Sequence, residues 1–234
     1  MEDLTIIYLT TNRVPEEWAK FQREKLLEAV GDTKIISLSR EPMDFGENIL
    51  QTGDVRTENI FYQLLRGAKQ AKTDFIAVAE DDTLYPKEHF EVRAEAFCYN
   101  SNRWCLYTWG EPVYHLKTWI RTNAVMVGPR EMAIESLEER FAKHPIDSKN
   151  FPLAVSKELG HAEKRLGITP RRNVDYKSST PVVQFDHDYW TSGVVRSNNF
   201  ERELERHRKK NYGDIKAYDI PVWGKASELV KKFK

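Results

Sequence analysis

Only two cysteines, Cys98 and Cys105, occur in the 234 residues, which excludes a disulfide-stapled framework and fits a reducing compartment. Long apolar runs are also missing. No stretch approaches the roughly 20 residues that span a bilayer, so no membrane span is expected. A strand-like run, Leu4-Thr5-Ile6-Ile7-Tyr8-Leu9, starts almost at Met1 and leaves no room for a signal peptide; the expected location is cytoplasmic. Net charge is absent too: Lys and Arg balance Asp and Glu at 36 each, so overall charge speaks neither for nor against nucleic acid. With 40% hydrophobic and 31% charged residues the chain is not a disordered one. Its length suits one large α/β domain or two small ones.

The balanced charge hides an asymmetry. Residues 201–234 carry ten Lys or Arg against six Asp or Glu, with the excess peaking at Arg206-His207-Arg208-Lys209-Lys210. Such a tail suits a phosphate backbone or an anionic surface, although a run of this kind is more often a solvated helix face.

Strand and helix signals alternate through the first half. After Leu4–Leu9 comes the polar loop Thr10–Arg13, where Asn12 or Thr11 is placed to cap a helix. Pro15 opens that helix, which runs through Trp18, Phe21, Leu26, Leu27 and Val30 to a stop at Gly31. Lys34–Leu38 reads as a strand, Ser39–Gly53 as a loop, Thr57–Ala71 as an amphipathic helix and Phe75–Ala79 as a buried strand. Farther on, Arg103–Trp109, Asn123–Val127 and Pro181–Phe185 are strand candidates. Arg130–Lys143, Val155–Leu166 and Asn198–Lys210 are helix candidates. Alternating elements predict an α/β fold with a mostly parallel sheet and right-handed crossovers. The expected organisation is one domain over 1–234: a nucleotide-binding half to about residue 100, an acceptor half over about 101–200, and the basic tail.

The most informative segment is Asp74–Pro86. An apolar strand ends there in three consecutive carboxylates, Glu80-Asp81-Asp82, and Pro86 forbids a central strand from continuing. Strand ends of α/β sheets are where such sheets bind ligands. Three adjacent carboxylates repel one another, and a hard divalent cation such as Mg²⁺ or Mn²⁺ relieves that repulsion while keeping positions for substrate phosphates. A solvated acidic turn is the plainer reading of the same residues.

These residues resemble the acidic Asp-x-Asp-like motif that ends a central strand in nucleotide-sugar glycosyltransferases of the GT-A fold. Here it stands as Glu80-Asp81-Asp82, preceded by the helix Asn59–Ala68. Glu80–Pro86 with Phe97-Cys98-Tyr99-Asn100 resembles a phage and bacterial subgroup of family-two-like members. A phage origin would place the protein in the host cytoplasm. The resemblance spans roughly residues 4–196, with Glu in place of the first Asp and a divergent acceptor half. A second landmark, Phe185-Asp186-His187-Asp188-Tyr189-Trp190-Thr191-Ser192-Gly193, resembles the His-containing segment that closes the site in many members.

The resemblance implies Glu80, Asp82 and His187 as ligands of Mn²⁺ or Mg²⁺. It implies a nucleoside diphosphate sugar as donor, a UDP-sugar first, and a hydroxyl acceptor on a glycan or on a hydroxymethylated or hydroxylated base in phage DNA. Thr10, Asn12, Arg13, Asn59, Gln63, Asp81 and Ser192 are candidates for the donor side. Asn59, Gln63 and Arg66 share a helix face by spacing, which is equally a solvated face. Glu158, in the expected helix of the second half, is the candidate base that deprotonates the acceptor. A plain first-turn acid favoured by the helix dipole fits it equally well. Trp104, Tyr107, Trp109 and Tyr114 suit stacking on a sugar or base, or a core. Two other classes stand beside this one. A nucleotidyltransferase would carry a Gly-rich loop after the first strand, and Thr10–Pro15 has no glycine. A non-catalytic nucleotide- or sugar-binding module would carry the acids as a surface turn.

Overall fold

The first apolar run is strand β1 (Leu4–Leu9), paired on both sides with parallel strands, β2 (Lys34–Ser39) and β4 (Phe75–Glu80), and buried at all six positions because helices cover both faces of the sheet there. It lies in a computed structural model that describes residues 1–53, 57–108, 110–117, 121–146, 157–187 and 215–233. Helix α1 (Glu16–Val30) covers one face of the sheet, where its Gln22 meets Tyr8. Helix α2 (Thr57–Gln70) covers the other. On that second face Gly67 allows close approach: a Cβ there would lie 2.8 Å from side-chain carbons of both Ile7 and Leu38.

The segment read as a loop from Ser39 to Gly53 contains an edge strand, β3 (Glu47–Leu50), parallel to β2. Its exposed Glu47 and Leu50 give no buried-strand pattern, which is why the sequence hid it. Further on come β5 (Thr83–Leu84), β6 (Phe97–Asn100), β7 (Arg103–Tyr107), β8 (Tyr114–Leu116), β9 (Met126–Pro129), helix α3 (Arg130–Lys143), helix α4 (Glu163–Leu166), β10 (Asn173–Tyr176) and β11 (Val182–Asp186). The described strands form a large sheet in the order β10-β6-β9-β4-β1-β2-β3, in which β9 alone runs against its neighbours. The mostly parallel α/β architecture expected from the alternating pattern is present.

A second, mixed sheet joins β8, β7, β11 and β5 with the short β12 (Lys216–Ala217). One of its faces is apolar. Leu106, Tyr114, Val183 and Phe185 pack there with Trp18 of α1 and with the helix Ala226–Phe233. Phe233 stacks on Phe185 at 4.8 Å between ring centroids, so the end of the chain closes this core. Both cysteines are buried and unpaired. Among the described residues no helix is long and apolar enough to cross a membrane.

Two expected helix features differ. Of the helix expected over Val155–Leu166, residues 155–156 lie outside the described residues, and of the rest only Glu163–Leu166 is helical. Gly160 sits between, in a left-handed conformation (φ 75°), and a Cβ there would lie 2.8 Å from Asn173, so the chain turns at that point. Asn12 does not cap α1, which Pro15 precedes without a side-chain cap. Instead Asn12, itself left-handed (φ 55°), accepts the backbone N–H groups of Arg40 and Glu41 and ties the loop after β1 to the loop after β2.

Candidate active site at the acidic turn

Strand β4 delivers Glu80 to the sheet edge, and the chain reverses through Asp81 and Asp82 into β5. Every backbone carbonyl of this turn has a donor. The Gln22 side-chain amide donates to Glu80 O (3.2 Å) and Thr83 O (2.9 Å), and the Trp18 indole donates to Asp81 O (2.8 Å). The Phe185 N–H donates to Asp82 O (2.8 Å), joining the turn to β11. Gln22 is fully buried, and its own carbonyl accepts the Tyr8 hydroxyl at 3.0 Å. The Tyr85 hydroxyl accepts the Glu80 N–H at 2.9 Å. Helix α1 therefore fixes the turn from one side and β11 from the other.

The carboxylates stand in different environments. Burial, then the charge of Asp82, pushes Asp81 up to about 6, while the Thr10 hydroxyl donates to it and opposes the shift. Burial, with Asp82 and Asp81 next, raises Glu80 well above the ordinary glutamate range. Asp82 is buried; one oxygen accepts the Thr83 hydroxyl at 2.7 Å, and the other faces His187 Nε2 at 3.7 Å. That gap exceeds a hydrogen bond. His187 is delivered by β11, is buried, and rests on the Phe233 ring at 5.0 Å. Among the described residues no three His, Cys, Asp or Glu side chains converge on one cation position. Asp82 and His187 come together, and Glu80 does not complete a trio with them.

Around the end of β1, Thr10 is buried, and its hydroxyl also accepts the Asn12 N–H at 2.9 Å. Arg13 is half-buried beside it in the chain. Asn59 and Gln63 are buried and donate their amides to Thr52 O at 2.9 and 3.0 Å; Arg66 continues the row to Gln63 and to Leu50 O. The face shared by these three thus holds the chain after β3, with Asn59 and Gln63 buried and Arg66 at the half-buried end. Trp109, residues 188–193 with Ser192, and the helix expected over Asn198–Lys210 with its basic cluster lie outside the described residues.

Glu158 is half-buried, and burial raises its pKa, opposed partly by Arg103. Its charge acts on Glu80 in turn, so Glu158, Arg103 and the acidic turn share one field. The backbone that carries it is pinned: Tyr99 Oη donates to Leu159 O (2.7 Å), and fully buried Arg140 donates to Lys157 O (2.8 Å). Of the four aromatic candidates, Tyr107 and Tyr114 are buried and Trp104 packs at the edge of the second core.

Sequence reading missed Trp18, Gln22 and Arg103. A glutamine inside a helix carries no signal of what it meets across the fold. Arg103, a charge opening an otherwise apolar strand, was the one visible anomaly.

No protein-family model and no curated protein sequence matches the chain. Among solved structures, three similar ones bear the following descriptions. A glycosyltransferase involved in glycosylation of the major capsid of PBCV-1 shares 12% identity at a TM-score of 0.45, over 86% of this chain and 98% of that one. The mannosyltransferase PcManGT from Pyrobaculum calidifontis, in complex with GDP-Man and Mn²⁺, shares 10% identity at 0.45, over 88% of this chain and 61% of that one. TarS of S. aureus in complex with UDP-GlcNAc shares 11% identity at 0.46, over 90% and 74%. At this overlap they are likenesses, and the functional reading below rests on the chain's own residues.

Proposed function

We propose that the protein transfers a sugar from a nucleoside diphosphate donor to a hydroxyl acceptor, with a divalent cation at the acidic turn. The observation that carries this reading is the Asp82–His187 pair: a buried carboxylate and a buried imidazole, 3.7 Å apart, delivered by the ends of two different strands. Two ligands bound at about 2.1 Å and at right angles to each other lie about 3 Å apart, so a small closure brings these two onto one Mn²⁺ or Mg²⁺. Such cations are held by one or two protein groups and complete their shell with water and substrate phosphates. The described ligand pair fits that pattern, and imidazole beside carboxylate suits Mn²⁺. Bound there, the cation would offset the charge that develops on the departing diphosphate.

The chain's own groups do the remaining work. Thr10 orients Asp81, and Trp18 and Gln22 keep the turn from relaxing, so the carboxylate cluster stays preorganised. Thr10, Asn12, Arg13 and Ser192 are assigned to the nucleotide side; Asn59 and Gln63 support the loop that borders it. Glu158 is assigned as the general base. Its carboxylate takes the acceptor hydroxyl proton while the acceptor oxygen bonds to the anomeric carbon. The bond from that carbon to the diphosphate oxygen breaks, and its electron pair leaves with the diphosphate. A carboxylate raised by burial is a better match for this proton than an ordinary one.

A thermal-shift screen of UDP-GlcNAc and GDP-mannose, each with and without Mn²⁺, tests the reading. Metal-dependent stabilisation by one donor is expected through mass action. No response to any nucleotide with metal would overturn it.

A further inference from the structure

The second sheet has a polar face as well as an apolar one. Along β7 the residues alternate, with Trp104 and Leu106 toward the core of Trp18 and Phe233, and Arg103, Cys105 and Tyr107 on the opposite side. Register carries the same face across to β8 and β11. Cys105 lies opposite His115 and Gln184, Tyr107 lies opposite Asp186, and Lys117 follows His115 by two positions with its N–H on Arg103 O at 2.8 Å. Arg103, Cys105, Tyr107, His115, Lys117 and Asp186 are all more than nine-tenths buried.

A buried polar face of this kind calls for partners, and Lys117 lacks one. Only 5% of its surface is exposed, yet its ammonium makes no hydrogen bond and no ion pair among the described residues. The ammonium lies over the face of Tyr107, 5.6 Å from the ring centroid. A largely buried ammonium that meets an anion on binding gains a charge-assisted hydrogen bond.

We propose that Lys117, with Arg103 beside it, binds an anionic group, carboxylate or phosphate, carried by the acceptor. This rests on the glycosyl-transfer reading above. The acceptor is preferred over the donor because of strand order: β8, which carries Lys117, is separated by β7 and β11 from β5, the strand that follows Asp82. The face thus leads away from the acidic turn, past Arg103 and Glu158, to Lys117. The diphosphate belongs at the near end with Asp82 and His187, and a second substrate belongs at the far end.

The test uses the full-length protein with four probes in thermal-shift and calorimetric titrations: D-glucuronate, glycerol 3-phosphate, neutral glucose, and UDP with Mn²⁺. The two organic anions are expected to bind and glucose to bind at least tenfold more weakly. Glucuronate against glycerol 3-phosphate then separates a carboxylate from a phosphate source. Lys117→Met should weaken the preferred anion about 10–100-fold, the range for a lost charged hydrogen bond, and keep the response to UDP with Mn²⁺. Lys117→Arg should restore most of the anion affinity and serves also if the methionine variant does not fold. Anion binding unchanged in Lys117→Met, or no preference over glucose in the wild type, overturns the proposal. Loss of the UDP response with anion binding kept also overturns it, since the lysine would then serve the donor. A wild type that ignores UDP with Mn²⁺ but binds the anion through Lys117 sinks the transferase reading alone.

Discussion

The Trp18 indole N–H donates to the carbonyl oxygen of Asp81 across 2.8 Å, tying the first helix to the middle of the acidic turn. One helical turn later, Gln22 takes the carbonyls on either side, at Glu80 and Thr83. The pairing explains how three consecutive acids keep one conformation despite mutual repulsion: the backbone is held from behind, leaving the side chains in front.

Replacing Gln22 with leucine should therefore destabilise the protein. Two carbonyls and the Tyr8 hydroxyl would lose their partner in a buried place. At roughly 1–3 kcal/mol for each buried group left unsatisfied, and less than additively, the cost should be about 3 kcal/mol. Urea unfolding measures it; a change under 0.5 kcal/mol would show that the turn holds itself.

Asp82→Ala should abolish sugar transfer and the metal-dependent response to donor while the fold survives. Its loss removes one of the two proposed ligands and also relieves repulsion on Glu80 and Asp81. Activity assays in Mn²⁺ with circular dichroism as the fold control decide this. Turnover at the wild-type level would remove the cation from the acidic turn.

His187→Ala should weaken Mn²⁺ dependence without eliminating it, because Asp82 stays. A loss of about 10–100-fold in metal affinity is expected, partly rescued by more Mn²⁺. The ring also packs on Phe233, so some stability is lost in parallel. An unaltered Mn²⁺ titration would leave His187 a packing residue only.

Stability should fall in mild acid because of His89. Burial pushes this imidazole down to about 3 from 6.5, and its Nδ1 pairs with the Tyr176 hydroxyl at 2.8 Å. The unfolded chain binds the proton first. The contribution is thus fully present above pH 6.5 and is lost toward pH 3, at up to about 1.4 kcal/mol per pH unit. Urea unfolding of wild type and His89→Gln at pH 7.5 and 5 isolates this histidine from the raised acids, which act in the opposite sense. Equal pH slopes in the two proteins would contradict the assignment.

Local pattern settled much of this protein. The apolar run Leu4–Leu9, the proline-opened helix to Gly31, the amphipathic helix after residue 56 and the strand ending in Glu80-Asp81-Asp82 were legible because each is a short-range rule: alternation, helical spacing, a cap, a break. The acidic cluster needed no fold to be seen. What the sequence alone could not fix was partnership across the chain. β3 escaped because an exposed edge strand has no buried pattern, and Glu158 left its expected helix because Gly160 must clear Asn173. That Asp82 faces His187, 105 positions away, follows from the pairing of β5 with β11, and Lys117 stands beside Arg103 because β8 pairs with β7. Burial and neighbouring charge, which set the protonation of Glu80, Asp81 and Glu158, exist only once those long-range contacts close.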